Sequence, residues 1–361
     1  MDLTITKITQ PNQNFWQSFD QIVNKTCAFT VHLNSIWLSN YIKYYFEESQ
    51  SAWILAVYDK TKLVGCLPLQ ATEKKATRFY NFTELHILGF GPTDFFDIPV
   101  MEENREEILS LLVSFLKKDK TWDKFILTGL PEFSVNLKYF VKALKKEKLE
   151  YEIDEHSGFV YAITTGNWED FLKTEFNPKN KDLSKSERRV ERENYQLKFT
   201  SYRENVYQEL LKNIDLYAQR RMTLGQFNKY ETDNLKQFLK NIIEAFEEKK
   251  MVELTVLEAD GETWAFQLDW INNKTRYHWN HAYNEDYKRY SPGKLILKEL
   301  MRKSFQDPEI DYCNHMRGLS RYKEKFTDEK QMLLRIKIEN PFSKKIKLTY
   351  FISKTLNAVK K

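Results

Sequence analysis

From Ala282 to Phe326 the sequence reads AYNEDYKRYSPGKLILKELMRKSF, then, after two residues, PEIDYCNHM and RGLSRYKEKF. A polar turn runs into a helix that Ser291 is placed to cap and Pro292 to open. The first N–H groups of a helix have no partner inside it, and the aligned peptide dipoles add partial positive charge. Such a turn suits a phosphate or another anion. Arg289, Tyr290, Ser291, Pro292, Gly293 and Lys294 are the candidate residues around it. A Ser-Pro step starts a helix with or without a ligand; the flanking cations are what point to one. Proton chemistry has its candidates just upstream, in YHWNHAY. Strand alternation puts His278, Asn280 and Ala282 on one face and Tyr277, Trp279, His281 and Tyr283 on the other. At most one histidine then shares the turn's face. His281, nearer the turn and among aromatics that tune its pKa, is the candidate base, with a purely structural histidine as the alternative. Asp269, inside AFQLDWI on the neighbouring strand, would orient His281 or replace it, since burying a carboxylate unpaired is costly. Its alternative is a solvent-facing strand end. Asp311 and His315 lie on the next short strand. The loop after it offers Arg317, Tyr322 and Lys323, either as a solvated basic loop or as contacts to an anionic acceptor and to developing charge.

These residues need a scaffold. At 361 residues the chain is long for one core, and two domains are the natural division. Apolar residues at 42% and aromatics at 15% give folded domains enough to bury. No run of eighteen apolar residues occurs, and the start, MDLTITKITQ, has neither a basic region nor an apolar signal core. Cys27, Cys66 and Cys313 are odd in number and widely spaced, which fits reduced core thiols in a cytoplasmic protein better than a disulfide frame or a metal site. Residues 341–361 hold six lysines and no acid, so the net charge of +5 belongs to the C-terminus and the remainder is near −1. That tail is either solvated or a peripheral contact to an anionic membrane surface. No nucleic-acid partner is expected. A Walker loop, a Cys/His metal spacing, a Gly-x-Ser-x-Gly elbow and a dinucleotide fingerprint are all missing from the sequence.

Periodicity gives the elements. A strand at 3–8, two helices, a hairpin turning at Asp59–Lys62, a strand at 85–91, helix 103–118, strand 124–130, helix 134–147 and a closing YEIDEHSGFVYAIT make the first half. The second half nearly repeats the order, with a basic loop in place of helix 134–147: helical segments from 167, strand 197–203, helices 205–221 and 232–249, three strands with Asp260–Gly261 and Asn272–Asn273 as turns, the helix from Pro292, strand 310–316, the loop, and strand MLLRIKI at 332–338. Between Lys179 and Arg203 eight basic residues face four acidic ones, which makes either a solvated helix face or a basic helix beside an anionic ligand. The expected class is α+β, a mixed sheet flanked by helices in each half. The expected domains are 1–165 and 166–340, with the basic tail at 341–361.

This order resembles tandem GNAT (acyl-CoA N-acyltransferase) folds. SIWLSNYIKYYFEESQSAWILAVYDKTKLVGCLPLQ, ending in Leu67–Pro68–Leu69, resembles the start of the CelD/BioF-like acetyltransferase domain. YKRYSPGKLILKELM resembles that family's Tyr-Ser-Pro-Gly turn and helix, and DYCNHM with RGLSRYKEKFT its aspartate strand and Gly-x-x-x-Tyr-Lys segment. Fem-type peptidoglycan aminoacyltransferases end similarly. The resemblance spans about residues 30–330 and implies acetyl-CoA or another acyl-CoA as co-substrate, with no metal. Its pyrophosphate would lie at Arg289–Lys294, and Asp311 and His315 would line a splayed cleft that admits pantetheine. Asp311, His315 and Arg317 would meet the acceptor; His281, Asp269, Tyr322 and Lys323 would serve the chemistry. The usual loop, Arg/Gln-x-x-Gly-x-Gly/Ala, is here RYSPGK with one glycine. The implied activity is N- or O-acetylation of a small molecule or sugar related to the cell envelope or exopolysaccharide. Aminoacyl transfer from tRNA and a non-catalytic binding module are the alternatives. Gly89–Asp97, GFGPTDFFD, would help form an acceptor groove between the halves.

Overall fold

A computed structural model describes residues 2–27, 30–75, 80–226, 228 and 230–345. Most of the lysine-rich tail therefore lies outside the described residues. The chain divides into two compact units, one of residues up to Ser157 and from Met332 onward, the other Gly158–Gln331. Among the described residues no helix is long and apolar enough to cross a membrane.

In the first unit, β1 (Leu3–Ile8), β2 (Gln50–Asp59), β3 (Lys62–Lys75) and β4 (Asn81–Ile87) are successive antiparallel neighbours. β5 (Lys124–Pro131) then runs parallel to β4. Helices α1 (Gln13–Thr26), α2 (Ser35–Tyr45), α3 (Arg105–Lys118) and α4 (Val135–Lys146) bury one apolar face each, as their periodicity requires. Asn12, Asn34 and Ser134 cap α1, α2 and α4 with side-chain oxygens. β4 and β5 pair over only three residues, Glu84–His86 with Lys124–Ile126. Beyond that point the chain closes its own gap. Phe96 N–H donates to Gly129 O at 2.9 Å, and Cys66 and Met101 N–H bond to Pro99 O and Val64 O. Gly129 has φ +77°, and a Cβ there would stand 2.9 Å from Asp94 O. Phe95 and Phe96 are buried. Of the segment read as part of an acceptor groove, Phe95, Phe96 and Asp97 are thus core of the first unit, while Phe90 and Gly91 are exposed.

The second unit repeats the layout. After β6 (Tyr151–Ile163) come the short helix α5 (Trp168–Phe171), a π-turn, α6 (Asn177–Lys179) and α7 (Lys181–Arg192). Strand β7 (Lys198–Tyr202) leads to α8 (Val206–Lys212), α9 (Ile214–Thr223) and α10 (Asp233–Glu248). The single helix expected at 205–221 is broken at Asn213, which is buried and whose side chain turns back to Glu209 O. β8 (Val252–Ala259), β9 (Glu262–Asn272) and β10 (Thr275–Tyr283) form an antiparallel meander with β7 at its edge. The Asp260–Gly261 turn has φ +52° and +83°, the all-positive geometry that a two-residue hairpin needs. Helix α11 (Pro292–Gln306) follows, and its Leu295, Ile296, Leu300 and Met301 pack with Trp264, Ala265, Leu257 and Cys313. β11 (Tyr312–Arg317) runs parallel to β10 and antiparallel to the end of β6.

The last strand departs from expectation. β12 (Lys330–Glu339), which contains MLLRIKI, pairs antiparallel with β5 of the first unit. There Arg335 makes a two-pronged bond to Asp154 at 2.8 and 2.6 Å. The strand that closes the second unit's ladder beside β11 is instead Gly158–Ile163 of β6. Sequence order places strands along the chain, but side-chain complementarity across distant segments chooses their neighbours. The break between units falls at 157/158, not at Gly166.

Candidate active site

In the second unit β10 and β11 also pair over only three residues, Thr275–Tyr277 with Tyr312–Asn314. Here nothing comparable closes the gap among the described residues. A cavity of about 740 Å³ lies there, walled by His281 and Tyr283 of β10, Ser291–Lys294 at the start of α11, Ser320 and Tyr322 of the last loop, Asp182 of α7 and Arg220 of α9.

Two irregularities shape it. β10 carries a bulge between His278 and Asn280, so Trp279 is an extra residue. His278 lies opposite Asp269, and His281 opposite Gln267, two residues along β9. The bulge therefore turns both histidines to one face, against strict alternation. β11 is irregular between Asn314 and Arg317, with Met316 at φ +61°. The Asn314 side-chain oxygen accepts from Met316 N–H at 2.8 Å, and Lys323 Nζ donates to Met316 O and Arg317 O at 3.0 and 2.7 Å. Lys323 thus holds the loop as a clamp.

His281 is exposed at the cavity wall. Partial desolvation by the surrounding protein, then Lys323, Arg221, Arg220 and His278, lower its pKa to about 4. The imidazole is neutral at pH 7. The Tyr322 ring lies 6.1 Å from it between centroids, and the Tyr322 hydroxyl donates to Gly293 O at 3.2 Å. Burial, and then Tyr283, raise the phenol well above its ordinary range, so it keeps its proton. A neutral imidazole and a protonated phenol thus line one cavity.

Asp269 does not serve His281. It is fully buried and accepts from His278 Nδ1 at 3.0 Å and Arg276 Nη1 at 2.9 Å. Arg276 also reaches Glu253 at 3.0 Å and Ser304 at 3.1 Å, and Arg203 bonds Glu253 from the rim at 2.6 Å. Burial works to raise the Glu253 pKa, but Arg276 and Arg203 override it and hold it at about 2. His315 packs against His278 at 4.9 Å and Phe326 at 5.2 Å, on the floor behind the cavity. Asp311 sits before β11, beside Lys274 at 3.5 Å. β10 and β11 run parallel, so Asp311 is at the strand end opposite His281 and is no part of the site. Arg317 is not among the lining residues.

The helix start is divided in the same way. Ser291, Pro292, Gly293 and Lys294 face the cavity; Arg289 and Tyr290 do not. Arg289 pairs with Glu193 at 3.1 Å, and the Tyr290 hydroxyl also bonds to Glu193. Tyr290 is buried against Trp264 at 4.9 Å. A six-residue 3₁₀ turn (Glu285–Tyr290) rotates these two side chains away from the helix axis. Pro292 is the first helical residue as expected. Ser291 has φ +55° and makes no side-chain cap; its hydroxyl meets Ser186 at 3.1 Å. A Cβ on Gly293 would point into the cavity, 3.5 Å from the Tyr283 ring and 3.9 Å from the Tyr322 hydroxyl, so glycine keeps the helix start open to a ligand. Lys294 pairs with Asp182, which Lys325 also approaches at 3.4 Å. Arg220 lies 4.7 Å over the Tyr283 ring and pairs with Glu285.

Sequence reasoning missed Asp182 and Arg220 as lining residues. The mixed-charge run after Lys179 and the basic pair Arg220–Arg221 were the signals, and neither says which turn of its helix faces inward. Among the described residues no cluster of His, Cys, Asp and Glu could hold a metal ion. All three cysteines are free, and Cys66 and Cys313 are buried.

Residues 179–324 match the family model of the acetyltransferase (GNAT) domain. The matched stretch makes up most of the second unit, which has the fold of a GNAT domain. No curated protein matches the chain in sequence. Among solved structures the chain is similar to FemX, with 12% identity, TM-score 0.63 and coverage of 93% of this chain and 98% of that one. It is also similar to a protein of unknown function from Bacteroides thetaiotaomicron, at 13% identity and TM-score 0.56, covering 93% and 100%. The C-terminal domain of an Agrobacterium fabrum protein named as a lysylphosphatidylglycerol synthetase matches at 11% identity and TM-score 0.53, covering 94% of each. At these identities the likeness is one of fold.

Proposed function

We propose that the second unit catalyses acyl transfer from an acyl-CoA, acetyl-CoA being the simplest, to the amine or hydroxyl of a small molecule or sugar of cell-envelope or exopolysaccharide chemistry. The observation that carries this reading is that a glycine-opened helix start, a neutral His281 and a protonated Tyr322 share one cavity. Ser291, Gly293 and Lys294 would hold the donor's pyrophosphate at the positive end of α11. His281 takes the proton of the acceptor as its N or O forms the new bond to the acyl carbon. Tyr322 gives its proton to the sulfur as the C–S bond breaks. Lys323 acts by fixing the loop that carries Tyr322. The free thiols suit a cytoplasmic setting.

A second reading, aminoacyl transfer from tRNA, is favoured by one observation: Arg289 and Tyr290 are spent on Glu193, which leaves a smaller phosphate cradle than a two-glycine loop provides. A thermal-shift assay separates the two. Acetyl-CoA at about 100 times its Kd should stabilise the chain by about 2.7 kcal/mol, roughly 5–10 °C in Tm for a unit of this size. Gly293→Glu should abolish the shift, because it puts bulk and negative charge between Tyr283 and Tyr322. A shift with aminoacyl-tRNA and none with any acyl-CoA would favour the second reading and overturn the first.

A further inference from the structure

The cations around the start of α11 already have carboxylate partners, and these come from α7 or its C-cap. Arg289 pairs with Glu193 at 3.1 Å, Lys298 with Glu187 at 2.6 Å, and Lys294 with Asp182. Of these three acids, Asp182 is the one that lines the cavity, beside Ser291–Lys294. One of its oxygens meets Lys294 Nζ, and Lys325 Nζ lies 3.4 Å from both oxygens. The two lysines belong to different elements, α11 and the short turn Lys323–Lys325. A carboxylate held by two ammonium groups beside a helix start has the surroundings that a phosphoryl group seeks. A pyrophosphate brought to Lys294 with Asp182 still in place would set two anions side by side, which is repulsive. We propose that Asp182 is a resident stand-in for the donor's phosphate: it holds Lys294 and Lys325 together in the free chain, and the phosphate displaces it to bind between them. Lys325 is then a donor-binding residue.

The surroundings let Asp182 leave while the lysines stay. Its side chain is 52% exposed and that of Lys294 13%, so the acid can turn to water while the ammonium remains in the wall. The frame that carries the two lysines has bonds of its own. Asn180 donates to Phe176 O at 3.0 Å and to Lys325 O at 2.6 Å, which ties the last loop to the foot of α7. Ser186 meets Ser291 at 3.1 Å, and Arg189 Nη1 donates to Arg289 O at 2.8 Å, which ties α7 to the turn before α11. Burial draws the Lys294 pKa down, and Asp182 works against that. Once Asp182 has turned out, two neighbouring ammonium groups are left to be bridged by another anion.

The inference rests on the phosphate seat of the acyl-CoA reading, and two probes keep the failures apart: inorganic pyrophosphate tests the seat, and coenzyme A tests the donor. Calorimetric titration of the full chain at constant ionic strength compares the wild type with Asp182→Asn, Asp182→Glu and Lys325→Met. Asp182→Asn keeps the shape and removes the charge, and should bind both probes about fivefold tighter, the size of effect expected of one partly exposed charge pair. Asp182→Glu keeps the charge and should bind no tighter than the wild type. Lys325→Met should bind both probes about fivefold more weakly. An acid with a structural role alone would give the opposite sign, so unchanged or weakened binding in Asp182→Asn would overturn the proposal. Undiminished binding in Lys325→Met would overturn it as well. Pyrophosphate bound in the expected pattern, with coenzyme A not bound, would uphold the seat and remove the donor; binding of neither probe would overturn both.

Discussion

Replacing His281 with alanine is expected to lower the rate of thiol release from the acyl donor by about 10²–10⁴-fold, the usual contribution of a positioned general base. The ring lies at the cavity wall and not in the core, so fold and donor affinity should change little. The loss should therefore fall on kcat, and the wild type should hold its rate down to about pH 5, because His281 gains its proton only near pH 4. Tyr322→Phe separates the two roles: it removes the acid and the bond to Gly293 O but keeps the ring beside His281. Equal rates for wild type and His281→Ala, with any acceptor that supports turnover, would remove His281 from the chemistry.

Arg276→Met should be the most destabilising single change in the second unit. It leaves Glu253 and Asp269 buried without their shared cation, a change that costs about 3–5 kcal/mol where one partner of a buried pair is removed. Urea unfolding followed by the fluorescence of Trp270 and Trp264 measures it, and a loss below about 1 kcal/mol would mean that the network is not buried in solution. The pH dependence has a definite sign. His278 binds its proton more tightly in the folded chain, so its contribution is full below about 6.5 and fades as the pH rises through about 9.

The parts of this architecture written in local pattern were legible. Hairpins announced themselves at Asp59–Lys62 and Asp260–Gly261 and the helix start at Ser291–Gly293, while the splayed pair of strands was implied by the resemblance to GNAT folds. The face of a strand beyond a bulge was not legible: one added residue at Trp279 reverses every later side chain, and no residue type marks it. The same limit misplaced Asp269, whose partner is His278. Asp311 was drawn to the site by being on the right strand, but a parallel neighbour fixes which end of that strand matters. Arg289 and Tyr290 were grouped with Ser291–Lys294 by adjacency, and the 3₁₀ turn before α11 parts them. Partners remote in sequence, such as Asp182 for Lys294 and β5 for β12, required the fold itself.

The first unit has the same short parallel pairing as the second, but its gap is closed by Asp94–Met101 with Phe95 and Phe96 in the core. One chain should accordingly hold one donor. Calorimetric titration of the full chain with coenzyme A tests the central claim most directly. One molecule bound per chain, with the heat abolished by Gly293→Glu and retained in His281→Ala, is the predicted result. No heat at millimolar ligand, or binding that survives Gly293→Glu, would contradict it.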